Sequence, residues 1–324
     1  MREMQGRSPS SASVAVAPTG ILLYSLCQYD HIIGLYDTET IVMTRAKDDL
    51  ASLLRHTPSG VIRVSEATRA WGLPTSSASR RLGALTRAGW IRRVRRGVYR
   101  VIPVDAPTEA AIPFDDPWVL AASAFAPCYI GGWSAAEHWG LTEQLFAKTF
   151  VVTGAHIRAR DITLGGLAFR LARVARARAL GDANVWRGRT RVPCSSAALT
   201  IVDACNAPAW VGGVRHLAEM VERYIEQRSG DVSPLTAALR SRARGSGAKR
   251  LGFIVESLAA HERDAKARHA LEAAVSAARE RLTTGVIKLD PAVRARGKMN
   301  TAWGIWTNVQ LDAGADHRRA RTDR

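Results

Sequence analysis

Residues 61–102 constrain the fold of this chain more than any other stretch, because their pattern predicts two short helices joined by a turn. The first helix is expected to begin at Ser65, whose hydroxyl can cap exposed amide groups, and to end at Trp71. Gly72 can adopt the left-handed conformation that ends a helix. A second helix is expected to begin near Thr75. Its apolar stripe, at positions i, i+4 and i+7, consists of Ala78, Leu82 and Leu85.

Two strand-like runs follow the second helix, WIRRV at 90–94 and VYRVI at 98–102, with a turn at Gly97 between them. Two such runs around a glycine turn predict a β-hairpin. Two helices followed by a hairpin form a winged helix-turn-helix, and the stretch therefore predicts that fold.

Arginines are concentrated on this motif, with eight of them and no acid between Arg80 and Arg100. A helix fits the major groove of double-stranded DNA, and arginines of a wing can contact phosphates or the minor groove. DNA binding is therefore predicted. A solvated basic face, an RNA-binding winged helix and a protein-docking winged helix are the alternatives. The residues predicted to contact DNA are Ser76, Ser77, Arg80, Arg81 and Arg87 of the second helix, and Arg92, Arg93, Arg95 and Arg96 of the hairpin.

The charge of the whole chain agrees with a polyanionic partner. Its 324 residues carry a formal net charge of +17, and residues 44–102 hold thirteen Lys or Arg against three acids. A hydrophobic fraction of 47% allows a substantial core, and the length allows two domains. A second basic region, 170–191, has seven arginines and one acid. It either extends the DNA contact or keeps a strand edge soluble.

The chain divides into five predicted segments, and the fold class that they imply is α+β. After Met43, Ala46, Leu50, Leu53 and Leu54 lie on one face of a predicted first helix of the winged domain. Because this periodicity begins after Met43, a translation start there is a hypothesis. The segments are a poorly structured N-terminal extension (1–43), the winged helix-turn-helix domain (44–102), an acidic, proline-rich linker (103–117), a mixed α/β C-terminal domain ending in a helical region (118–310), and a basic tail (311–324).

The C-terminal domain is predicted to begin with a helix at 117–125 and a buried strand at 128–132. It is predicted to end with amphipathic helices followed by a strand around Trp303. Ser134 is expected to cap a short helix that ends at Gly140. The aromatic side chains expected in the core are Trp133, Trp139 and Trp186.

A search for catalytic residues finds no complete constellation. Glu137 and His138 are adjacent on a predicted helix, so their side chains point about 100° apart and do not converge. Ser195, Ser196 and Asp203 suggest a hydrolase, but no G-x-S-x-G motif accompanies them. We therefore predict that the protein is not an enzyme. The alternatives are a nuclease guided by the winged helix, although no E-x-K motif is present, and a ligand-responsive transcription factor.

No metal, cofactor or membrane segment is predicted. The sequence has no P-loop or dinucleotide fingerprint, and no run approaches the roughly 18 apolar residues of a membrane span. The cysteines lack C-x-x-C spacing, so neither a zinc site nor a disulfide framework is expected, and reduced thiols indicate a cytoplasmic protein. They are Cys27, Cys128, Cys194 and Cys205.

Several longer motifs carry a resemblance to a known family: SRRLGALTRAGWIRRVRRGVYRVIP, DPWVLAASAF, YIGGWSAAEHWGLTEQLFAKTFVVT and VPCSSAALTIVDA. Over residues 44–310 the chain resembles the AbiEi antitoxins of type IV toxin-antitoxin and abortive phage-infection systems. The resemblance implies that the winged helix represses the antitoxin–toxin operon. It also implies that the C-terminal domain counters a nucleotidyltransferase-like toxin without requiring a stable complex.

The resemblance supplies no catalytic residue for this chain. Candidates for the antitoxin activity are therefore taken from polar side chains in the most family-like part of the C-terminal domain. They are Glu137, His138, Arg170 and Arg173.

Overall fold

The computed structural model describes residues 38–57, 59–103, 116–262 and 264–311, with side chains from Ala46 onward. Parts of three predicted segments lie outside the described residues. They are the N-terminal extension up to residue 37, residues 104–115 of the linker, and residues 312–324 of the basic tail.

The chain divides into two compact units, Met1–Ser52 and Leu53–Arg324. The described part of the first unit is helical and belongs to helix α1 (Thr38–His56). Met43 lies inside α1, so the expectation that the first helix begins after Met43 is wrong. The five residues before it belong to the same helix.

The second unit begins in the last turn of α1, where fewer side chains of the predicted apolar face are buried than expected. Leu53 is fully buried, whereas Leu54 is 38% exposed. Consecutive helical residues point about 100° apart, so only one of these two leucines faces inward.

The predicted motif forms a three-stranded antiparallel sheet and two helices. In chain order these elements are β1 (Val61–Arg63), α2 (Val64–Trp71), α3 (Thr75–Arg87), β2 (Ile91–Arg95) and β3 (Val98–Val101). Strand β3 lies between β1 and β2. Gly72 ends α2 with a φ of 62°, and the stripe of α3 is buried as predicted. The predicted order of helix, turn, helix and hairpin is therefore observed.

The cap of α2 differs from the prediction, because the helix begins at Val64 and Ser65 does not cap it. The Arg63 backbone N–H donates a hydrogen bond of 2.8 Å to Glu66 Oε2. The Arg63 guanidinium lies 2.7 Å from Glu66 Oε1. The Glu66 carboxylate therefore satisfies an exposed backbone N–H group at the start of the helix. Ser65 was expected to provide the cap instead.

A six-stranded mixed sheet follows, with the order β6-β7-β5-β4-β9-β8. Strand β5 is parallel to β7 and β4 is parallel to β9, whereas the other pairs are antiparallel. The two edges of the sheet are therefore hairpins. Its strands are β4 (Cys128–Ile130), β5 (Thr149–Thr153), β6 (Asp161–Leu164), β7 (Leu167–Arg173), β8 (Ala183–Arg187) and β9 (Thr190–Cys194), and the helices α4 (Pro117–Ala124) and α5 (Gly132–His138) adjoin it.

Alternate side chains of this sheet belong to different hydrophobic clusters. Ile130, Val151 and Phe169 share a cluster with Leu120 of α4. The second cluster is made of Tyr129, Phe150 and Val152, with Trp133 and Trp210 packed against it.

The last part of the chain is mostly helical and shares one large core. Its helices are α6 (Ala197–Asn206), α7 (Val214–Gln227), α8 (Ser233–Arg242), α9 (Gly245–Ala259) and α10 (Ala265–Arg279), and its small sheet contains β10 (Ile287–Lys288), β11 (Lys298–Asn300) and β12 (Ile305–Thr307). Trp303, predicted within a strand, lies in the turn before β12, where its indole N–H donates to Glu256 at 2.6 Å. The predicted α+β class is confirmed.

Two further expectations are wrong. Ser134 lies inside α5, where its hydroxyl accepts a 2.9 Å hydrogen bond from the Phe150 backbone instead of capping the helix. Trp186 is 68% exposed and is not a core residue. It lies on β8, at an edge of the sheet, and strand periodicity alone does not distinguish an edge from the centre.

A buried hydrogen bond joins the centre of the six-stranded sheet to the helical region. The Tyr129 hydroxyl on β4 donates to Asp203 Oδ2 on α6 at 2.5 Å. Burial raises the pKa of Asp203 from 3.8 to about 6, and the Tyr129 hydrogen bond and Arg242 oppose this shift. The carboxyl group is therefore protonated more readily in the folded chain than in the unfolded chain.

We predict that Asp203→Asn changes how stability depends on pH. Because the folded-state pKa is raised, the stabilisation from protonated Asp203 is full below about pH 4 and is lost as the pH rises through 6. Asparagine keeps an acceptor for Tyr129 and has no charge. Relative to wild type, the variant should therefore gain up to about 3 kcal/mol of unfolding free energy between pH 4 and pH 7.

Urea unfolding at several pH values measures this difference, and Asp264→Asn at an exposed helix cap is the control. A constant difference between wild type and Asp203→Asn across the range would contradict the prediction.

Candidate nucleic-acid interface

Helix α3 separates its apolar and basic side chains onto opposite sides. The side chains of Ser76, Arg80 and Arg87 are exposed. At 100° per residue these three positions fall within about 40° of one another, on the side away from the buried Leu82 and Leu85. The buried stripe therefore determines that this basic line faces outward.

Arg80 and Arg81 of α3 each have a partner within the protein. Arg80 Nη2 donates to Ser77 Oγ at 3.2 Å, which links two predicted DNA contacts one helical turn apart. The Arg81 guanidinium lies over the Trp71 ring, 5.2 Å from its centroid. Arg81 therefore packs between α2 and α3.

The β2–β3 hairpin presents a second group of arginines. Arg92, Arg93, Arg95 and Arg96 are all exposed. Arg95 is engaged by the protein itself, because its Nη1 donates to the Ala124 carbonyl at 2.8 Å and its guanidinium lies 5.4 Å from the Phe125 ring centroid. Arg95 thus joins the hairpin to the end of α4.

We predict that Arg95→Ala destabilises the protein, whereas Arg93→Ala does not. Arg95 loses a charged hydrogen bond and a ring contact, which are worth about 1 kcal/mol in total for a side chain that is partly exposed. The exposed Arg93 should change the unfolding free energy by less than about 0.5 kcal/mol. Thermal or urea unfolding of both variants tests this, and equal stabilities would show that Arg95 does not anchor the hairpin.

The four antitoxicity candidates are not brought together on one surface. Glu137 and His138 are exposed at the end of α5, and the His138 ring lies 5.3 Å from the Trp118 ring. Partial burial, together with Arg187, lowers the pKa of His138. Arg170 forms an ion pair with Asp161. Three positions further along the same strand, Arg173 points to the opposite face of the sheet.

The residues that suggested a hydrolase each have a different partner. Ser195 Oγ is 2.8 Å from Thr200 Oγ1, and Ser196 Oγ donates to Asp182 at 2.7 Å. Asp203 accepts from Tyr129 and is not bonded to either serine. The three residues therefore form no nucleophile–base chain.

Two absences hold for the described ranges of the chain. In them no group of three or more His, Cys, Asp or Glu side chains is placed to hold a metal ion. Nor is any helix in those ranges both long enough and apolar enough to cross a bilayer.

The β8–β9 hairpin carries a second cationic surface, within the basic region 170–191. Trp186 and Arg191 are opposite each other across the two strands, and both are exposed, as is Arg189 in the turn. Arg187 points elsewhere and lies 4.3 Å from the Trp118 ring centroid. The density of arginine in this region was visible in the sequence, but only strand pairing shows which arginines share a face.

Comparison with known protein families gives a match for the N-terminal part of the chain. Residues 48–102 match the model of a family described as "Transcriptional regulator, AbiEi antitoxin". No curated protein matches the chain. The matched residues include α2, α3 and the β2–β3 hairpin, which are the elements that present the basic side chains.

Proposed function

Because residues 48–102 match the model of the AbiEi antitoxin transcriptional-regulator family, we propose that the protein is an antitoxin that binds double-stranded DNA and represses its own operon. The exposed side of α3 would enter the major groove, and the hairpin would contact the backbone or minor groove. The DNA-contacting set consists of Ser76, Ser77, Arg80, Arg87, Arg92, Arg93 and Arg96, with Arg81 and Arg95 as supporting residues.

The observation that carries this proposal is the orientation of α3. Its apolar stripe is buried, so Arg80 and Arg87 face outward together. The exposed hairpin arginines Arg92, Arg93 and Arg96 extend the basic surface beyond the helix, and no acidic residue occurs between Arg80 and Arg100. A helix and a hairpin that are both positively charged suit duplex DNA, in which each groove lies between two negatively charged backbones.

We predict different losses of DNA affinity from the helix and from the hairpin. Arg80→Ala should cost about 1–3 kcal/mol on the operator and reduce the preference for operator over scrambled DNA, because a base contact is lost. Arg92→Ala should weaken both DNAs alike and reduce the salt slope by about 1, because a phosphate contact is lost.

Binding isotherms at several salt concentrations measure both effects, with DNA from the region upstream of the protein's own reading frame. Arg268→Ala, an exposed arginine on α10, is the matched control. An unchanged affinity for Arg80→Ala would exclude α3 as the reading helix.

The antitoxin activity is proposed for the part of the chain after residue 117. Its functional partner would be a nucleotidyltransferase-like toxin, which is opposed without a stable complex, and the proposed DNA target implies action in the cytoplasm. The antitoxicity candidates Glu137, His138, Arg170 and Arg173 would act here. They lie on the six-stranded sheet and on α5, outside the segment that matches the regulator family.

We predict that repression and toxin rescue can be separated. Substituting Arg92 and Arg93 together should derepress a promoter reporter and preserve growth rescue when the protein is expressed from an unrelated promoter. Arg173→Ala or Glu137→Ala should have the reverse effect, because both side chains are exposed and far from α3 in sequence. Reporter activity and growth are measured for each folded variant. If every folded hairpin variant also lost rescue, the two activities would not be separable.

A further inference from the structure

A cleft of about 540 Å³ lies between the helix-turn-helix and the β8–β9 hairpin. On one side it is lined by Ser59, before β1, and by Arg63, where β1 joins α2. On the other side it is lined by Asn184 and Arg191 of the hairpin. Binding sites for small molecules commonly have volumes of about 300–1,000 Å³ and occur where two substructures meet.

The charges of the cleft are unbalanced. Three arginines line it: Arg63, Arg189 and Arg191. The acid among the lining residues is Glu66, which is already held by Arg63 through Nε at 3.0 Å and Nη2 at 2.7 Å. Arg189 and Arg191 are exposed on the hairpin and line the cleft, where the Glu66 carboxylate is already paired with Arg63. This arrangement favours an anion with several oxygen atoms, since guanidinium groups bind phosphate oxygens in pairs.

The rest of the lining suits a ligand that also has an uncharged part. Asn184 and Thr190 provide side-chain donors and acceptors, and Pro127 and Pro193 provide apolar surface. Arg189 and Arg191 lie on the hairpin side of the cleft and Arg63 lies where β1 joins α2, whereas Pro127 directly precedes β4 and Pro193 lies within β9. The cleft is therefore large enough for a phosphate group joined to a ring, and its lining offers both charged and apolar surface.

Arg63 connects this cleft to the DNA-reading elements. Its backbone N–H and its guanidinium both bind Glu66 at the start of α2, and it pairs with Val98 of the wing strand β3. A phosphate group that draws the guanidinium away from Glu66 would change the contacts at the start of α2 and beside the wing. A ligand can shift an equilibrium only through such differential contacts.

We propose that this cleft binds a phosphate-bearing molecule of nucleotide size and that its occupancy changes the affinity of the protein for DNA. The second part of the proposal rests on the proposed function, whereas binding to the cleft does not. Phosphates of bound DNA have the same chemistry as a free nucleotide. The experiment must therefore distinguish the two sources.

The first arm measures binding to the full chain without DNA, by isothermal titration with ADP, inorganic pyrophosphate and adenosine. ADP should bind, adenosine should not, and the double substitution of Arg189 and Arg191 with Ala should weaken ADP binding at least tenfold. Both side chains are exposed, so the variant should keep the wild-type melting temperature. Arg80→Ala and Arg268→Ala are matched arginine controls and should bind ADP normally.

No binding of ADP or pyrophosphate at millimolar concentration would overturn the proposal. It would also be overturned if the double variant bound ADP as wild type does, or if Arg80→Ala abolished ADP binding, because the anion would then occupy the DNA-reading surface. This arm does not depend on whether the protein recognises an operator, so its failure is distinct from failure of the proposed function.

The second arm measures DNA affinity with and without ADP. A threefold or larger change for wild type, and none for the Arg189/Arg191 double variant, would support coupling between the cleft and DNA binding. If ADP bound without changing DNA affinity, the coupling would be overturned. If the double variant lost DNA affinity in the absence of ADP, with a salt slope reduced by about 2, the cleft would be a DNA-backbone contact and the proposal would be wrong.

Discussion

Burial of one side of α3 is the constraint on which the proposed DNA contact depends. Leu82 and Leu85 are almost completely inaccessible to solvent, and each contributes roughly 1.5–3 kcal/mol through burial. Turning the helix by half a rotation would expose both leucines and bury Arg80 and Arg87. The cost of burying unpaired guanidinium groups would add to the loss of apolar contact. The outward direction of the basic line is therefore a consequence of core packing.

The same residue type serves two different purposes in this chain. Some arginines remain exposed on α3 and the β2–β3 hairpin, where they give the surface its positive charge. Others hold the fold together: Arg95 anchors the hairpin to α4, and Arg187 lies over Trp118 and 3.6 Å from Asp116. Guanidinium groups can do both because the planar head stacks on rings and donates several hydrogen bonds. A count of arginines therefore overestimates the number available to DNA.

The helix-turn-helix, the hairpin and most helices of the C-terminal part could be predicted because their signals are local. Gly72 ends α2, and the i, i+4, i+7 stripe defines α3, within about one turn of each residue. The errors arose where the partner is distant in sequence. Ser134 bonds to the Phe150 backbone, and Trp303 bonds to Glu256 on α9. Neither partner can be identified from the periodicity of the segment itself.

The sequence by itself determined the α+β class, the order of helix, turn, helix and hairpin, and the concentration of positive charge on these elements, because propensity, periodicity and charge are properties of neighbouring residues. Only the tertiary structure decided which arginines are exposed, that Trp186 lies on an open edge, and that the β8–β9 hairpin faces the helix-turn-helix across a cleft. These features depend on the strand order β6-β7-β5-β4-β9-β8 and on contacts between residues far apart in the chain. Strand order is set by the packing of the whole sheet, which no single segment encodes.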